Sequence, residues 1–160
     1  MAKVSLRRVD VVEMMNGFSA VKKDPSIAGE KFTYAFIKNR KAVAAEYEEM
    51  QEYQERHNEE RRAFIDSIAD KGDDGNPSMV KQKEGENEVV TPSLSAKAHK
   101  QLVDYDIAWA KTLTAYGKET VEIDLHMISL ADVPKKVGTA IIDSLSFMVK
   151  MEEEPKKTEE

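Results

Sequence analysis

The sequence predicts an α+β fold that is mostly helical: one long helix packed on two further helices, with a small sheet of two to three strands. Three stretches carry this expectation. Residues 28–71 contain no proline and, after the entrance, no glycine, and they are dense in Ala, Glu, Lys, Arg, Met and Gln, which lose little side-chain freedom in a helix. Residues 96–116 place Leu102, Tyr105, Trp109, Leu113 and Tyr116 at helical spacing. Residues 119–127 alternate Val121, Ile123, Leu125 and Met127 with Thr120, Glu122, Asp124 and His126, which is the period of a strand with one buried face.

In chain order, Val4 and Leu6 alternate with Ser5 and Arg7, which predicts a short edge strand over residues 3–8. Asp10 is expected to cap a helix to Val21 with Val11, Met14, Met15 and Phe18 inward, ended by Pro25. Asp24-Pro25-Ser26 would start the long helix, and Gly72 with the DDGNP run after it would stop it, giving a length of roughly 65 Å at about 1.5 Å per residue. On that helix Phe32, Phe36, Val43, Tyr47 and Met50 form one face, which resumes at Phe64 and Ile68. Between them QEYQERHNEERR has Tyr53 as its only large apolar group, so the middle is expected to be solvated, with His57 exposed. An intrachain helical hairpin is the expected arrangement. A coiled coil with a second copy is the alternative, although His57 and Arg61 fall where a seam wants apolar groups.

Residues 72–88 read as a mobile loop. Asp70, Asp74 and Gly75 resemble a calcium loop only superficially, since Gly72 holds the third position and Lys81 the place of the bidentate Glu. A brief strand over residues 88–91 follows, ended by Pro92. Ser93 or Ser95 would cap the Trp109 helix, and Gly117 would end it. A last helix is expected from Ser129 or Asp132 through Val133, Val137, Ile141, Leu145 and Met148, with Pro134 in its first turn. Residues 1–150 are expected to form a single domain and residues 151–160 a disordered acidic tail.

At 160 residues and 41% hydrophobic content the chain has material for one sizeable core. It has no cysteine, which excludes disulfides, thiolate metal sites and cysteine nucleophiles. No apolar run approaches the roughly 20 residues of a membrane span, and MAKVSLRRVDVVEMM lacks the apolar core of a secretory signal. A cytoplasmic protein without membrane contact is expected. The net charge of −6 conceals a gradient: residues 1–41 carry nine Lys/Arg against four Asp/Glu, whereas residues 42–69 carry three against eight. The basic set Arg7, Arg8, Lys22, Lys23, Lys38, Arg40 and Lys41 makes a nucleic-acid-associated regulator one alternative function, with the acidic neighbour arguing against it.

No GxSxG, phosphate-cradling glycine loop or HExxH occurs, so no catalytic residue and no cofactor is expected. Glu122, Asp124 and His126 offer a weak candidate metal face, carboxylates and imidazole about 7 Å apart in succession, for a small metal-dependent enzyme as a second alternative. A solvated sheet face accounts for them as well. The leading expectation is a non-enzymatic interaction or assembly protein that binds a protein partner through the middle of its long helix, with Tyr53 as anchor and Arg56, Arg61 and Arg62 as charged contacts. A spacer that only sets distance is the competing reading of that section. The order of segments resembles small proteins of unknown function encoded by tailed bacteriophages: a long charged helix, an Asp/Gly turn at Asp73 and Gly75, a Glu119-Val121-Glu122-Ile123 strand, and a helix start at Asp132 and Pro134. The likeness spans residues 30–145 and implies a phage context in a bacterial host, without implying a mechanism.

Overall fold

The computed structural model describes residues 1–23 and 29–150. Its elements are β1 (Ala2–Arg7), α1 (Arg8–Lys23), α2 (Glu30–Ile68), β2 (Met79–Glu84), β3 (Asn87–Pro92), α3 (Ala96–Lys118), β4 (Thr120–Leu125), β5 (Ile128–Ser129), α4 (Thr139–Ser144) and β6 (Val149–Lys150). The mostly helical α+β class is as the sequence predicts. The expected Asp24-Pro25-Ser26 helix start, the Pro25 stop and the acidic tail lie outside the described residues. The described residues cluster into two compact units, one drawn from residues 1–50 and 116–150 and the other residues 51–115. α2 and α3 each contribute residues to both.

The first unit holds the apolar core. β1 and β4 pair antiparallel from Ala2 opposite Leu125 to Arg7 opposite Thr120, and the alternation turns Leu6, Ile123 and Leu125 inward. Val11, Met14 and Phe18 of α1 and Phe32, Ala35 and Val43 of α2 are buried with them, as are Leu145 and Met148. Phe18 meets Phe36 edge to face at 5.4 Å, the geometry that ring quadrupoles favour. Asp10 is not the cap of α1. It sits three residues after the cap position Arg7 and reaches back, its Oδ2 accepting the Arg7 backbone N–H at 3.0 Å while the Arg7 guanidinium donates to both carboxylate oxygens. That is the reciprocal half of a capping box. α3 runs past Gly117 to Lys118, so this glycine is not a helix stop. A Cβ there would stand 2.9 Å from Val9 Cγ1, so glycine serves close approach.

The expected last helix is broken. Leu130–Asp132 is a single 3-10 turn capped by the Ser129 hydroxyl, which accepts the Ala131 N–H at 3.3 Å. Val133 is extended, as the residue before Pro134 is sterically driven to be. Only Thr139–Ser144 is α-helical, and the chain then leaves through a second 3-10 turn into β6, which runs parallel to β5. Val137, Leu145 and Met148 are buried all the same, and Val133 and Ile141 pack against the core.

The second unit contains the C-terminal part of α2, the N-terminal part of α3 and a hairpin. Residues expected as a mobile loop form β2, paired with β3 from Met79 opposite Pro92 to Glu84 opposite Asn87. Its two-residue connection begins at Gly85 with φ +63°, as a type II′ hairpin turn requires. Ahead of it, the Asp74 carboxylate accepts the Asn76 backbone and side-chain N–H groups, both at 3.0 Å, and Gly75 adopts φ +77°. The Asp70–Gly75 segment is thus a tight turn after the helix. Ser95 caps α3, its Oγ accepting the Ala98 N–H at 3.1 Å.

Candidate functional site

The residues singled out on the middle of the long helix all lie in the second unit, where α2 faces α3. Four-residue steps put Tyr53, His57 and Arg61 on one side of α2, and Phe64 continues it. From α3, Tyr105, Asp106 and Trp109 meet them. Tyr53 lies 5.5 Å from Trp109, His57 stacks on Trp109 at 3.3 Å and on Tyr105 at 5.7 Å, and Phe64 stacks on Tyr105 at 4.6 Å. Arg61 closes the ladder with a bidentate pair, its Nε and Nη2 each donating to an Asp106 oxygen at 2.7 Å. Those hydrogen bonds hold the Asp106 carboxyl below the ordinary carboxylate range, against the opposing effect of desolvation.

The expectation of a solvated middle is therefore corrected at His57. His57 is 5% exposed, because Trp109 and Tyr105 supply an apolar wall that no neighbour in sequence provides. Its Nε2 is enclosed without a hydrogen-bond partner. Arg61, expected to contact a partner, is held by Asp106. Arg56 and Arg62 are exposed as expected, and Tyr53 is half-buried. Tyr53 and Arg56 share a depression of about 260 Å³ with His57, Glu60 and Trp109, whereas Arg61 lines a different one beside the hairpin. Trp109 itself is half-buried, part of this ladder and not of the main core.

The other candidates are dispersed. β4 ends at Leu125, so its alternation does not extend to His126, whose ring instead meets that of Tyr34 in a T-shaped contact at 5.0 Å. Asn39 fixes that position: its Nδ2 donates to the His126 carbonyl at 2.9 Å and its Oδ1 accepts the His126 N–H at 2.6 Å. Sequence reasoning passed over Asn39, although a polar residue within the Phe32–Met50 apolar face was the signal. Glu122 lies 3.9 Å from Lys3 across the strand pair, both exposed. Among the described residues no three His, Cys, Asp or Glu side chains are grouped to hold a metal ion. Of the basic set, Arg7 is committed to Asp10, and Arg8 is largely covered, stacked over the Tyr116 ring at 4.2 Å and 3.9 Å from Glu119. No described helix is long and apolar enough to cross a membrane. Comparison of the chain with protein-family models, curated proteins and solved structures finds no match.

Proposed function

We propose that this protein is a non-enzymatic interaction or assembly protein that binds a protein partner through its second unit. The observation that supports this is a mismatch between burial and apolar display. Within residues 51–115 only His57, Ala69 and Ala98 are buried, while Met79, Val80, Val90, Val103, Ile107 and Leu113 are all exposed. The first unit reverses that balance, with a continuous buried cluster from Leu6 to Val149. A unit that buries almost nothing large of its own and displays this many aliphatic groups gains by covering them with another protein. Arg56 and Arg62 supply exposed cations of the type enriched at contact hot spots, and Tyr53 a half-covered amphipathic ring. Arg61 is a positioning residue in this reading, since it ties α2 to α3 through Asp106. The phage assembly context and the cytoplasm of a bacterial host belong to the same proposal, on the resemblance alone.

Photo-crosslinking tests it. A photoreactive residue is placed singly at Arg56, Arg62, Val90 and Val103 in the second unit, and at Ile37, more exposed than either valine, in the first. Protein adducts are expected from the second-unit positions. Adducts confined to Ile37, or none at any position, would overturn the proposal.

A further inference from the structure

We propose that the second unit is a dimerisation element in which α3 lies antiparallel against α3 of a second copy, along Val103, Ile107, Ala110 and Thr114. This rests on reading the second unit as a binding surface and names the partner it binds.

α3 has two apolar faces. Leu102, Tyr105 and Trp109 are half-buried on the side toward α2. Roughly opposite, at about 100° per residue, run Val103, Ile107, Ala110 and Thr114, spaced four, three and four, the step of a coiled-coil seam. All four are exposed, Val103 at 43% and Ile107 at 52%. Thr114 adds no unmet donor, because its hydroxyl donates to the Ala110 carbonyl at 2.8 Å. A helix that is apolar on opposite sides is expected to be covered on both.

Complementarity of size and charge selects the occupant. Laid antiparallel in this register, Ile107 faces Ala110 and Val103 faces Thr114 of the second copy, so a large group meets a small one or two groups of similar volume meet. A parallel pair would instead stack Ile107 on Ile107 beside Ala110 on Ala110, leaving uneven layers, and would set the two Lys100 side chains together at the seam. The antiparallel register also brings Asp104 beside Lys111 of the second copy, twice by symmetry. Neither residue has an ion pair with another described residue of its own chain. The next flanking positions outward, Lys97 and Lys118, are like-charged, which confines the seam to the stretch from Val103 to Thr114.

Sedimentation velocity on the full chain, from roughly 5 to 500 µM, tests this. A concentration-dependent monomer–dimer equilibrium is expected, shifted to monomer by Ile107→Glu at unchanged helicity. Asp104→Lys and Lys111→Asp should each weaken the dimer by roughly tenfold, since each breaks two symmetric pairs, and the double exchange should restore it. A monomer throughout the range, a dimer that survives Ile107→Glu, or a double exchange that fails to restore association would each overturn the proposal. Should Ile107→Glu fail to fold, the charge exchange decides alone. A monomeric chain that still forms adducts with a different protein from the second-unit positions sinks the dimer and leaves the binding function standing. A monomer with no adducts sinks both.

Discussion

His57 is held in place by stacking and not by hydrogen bonding. Trp109 covers one face at 3.3 Å, and Nε2 is enclosed with nothing to bond. An unpaired buried polar atom costs about 1–3 kcal/mol, whereas an apolar group of similar shape at the same place is close to neutral. His57→Phe is therefore expected to match or exceed the parent melting temperature. His57→Ala, which removes the stack, should lose about 0.5–1.5 kcal/mol or more. Thermal unfolding followed by circular dichroism separates them, and a His57→Phe variant that melts lower than His57→Ala would show that the imidazole nitrogen has a partner. Asn39 is the opposite case, since both ends of its amide are spent on the His126 backbone. Both residues were visible as anomalies in the sequence, a histidine in a charged run and an asparagine in an apolar face. What each meets lies 52 and 87 residues further on, at Trp109 and His126, and no local window contains it.

At the scale of elements, the start of α1 gives a pH-dependent test. Arg7's hydrogen bonds hold the Asp10 carboxyl below its ordinary value of 3.8, with desolvation opposing. A carboxylate lowered in the folded state contributes stability that is fully present above about pH 4 and lost as pH falls through its folded value. Denaturant unfolding at pH 5, 4, 3 and 2.5 should show Asp10→Asn less stable than the parent at pH 5, with the gap closing as acid protonates Asp10. A gap that stays constant with pH would remove the carboxylate from the account. The elements legible in the sequence were β1, α1, the Glu30–Ile68 helix, β3, α3 and β4, each marked by apolar periodicity, helix-forming composition or a β-branched run beside turn residues. β2 was not, because MVKQKE is exposed along its whole length and carries no apolar alternation to read. The last helix failed differently. Val137, Leu145 and Met148 are buried as their spacing implied, yet Pro134 and Gly138 interrupt the path, so the periodicity was right about burial and wrong about backbone.

For the whole molecule, the same unevenness that motivates the proposed function has a consequence for dynamics. α2 runs from Glu30 to Ile68, yet its residues change surroundings at Met50. Before that point Phe32, Ala35, Asn39 and Val43 are buried, the three apolar ones among fifteen buried apolar core residues of the described chain. After it, only His57 is buried on the helix, and the hairpin of β2 and β3 is a two-stranded sheet with β2 exposed throughout. Helix propensity alone does not protect amides, and an isolated hairpin is marginal in water. Local opening free energy follows buried apolar contact, so native-state hydrogen exchange should fall into two classes. Residues 32–50 are expected to exchange only with global unfolding, and residues 52–68, 79–92 and 97–114 through a lower-energy opening of the second unit. Raising the protein concentration into the range where the α3 seam forms should slow exchange at residues 97–114 and leave residues 32–50 unchanged. Uniform protection along α2 at low concentration would mean that the second unit is stable without a partner, and the physical motive for covering its aliphatic side chains would be gone.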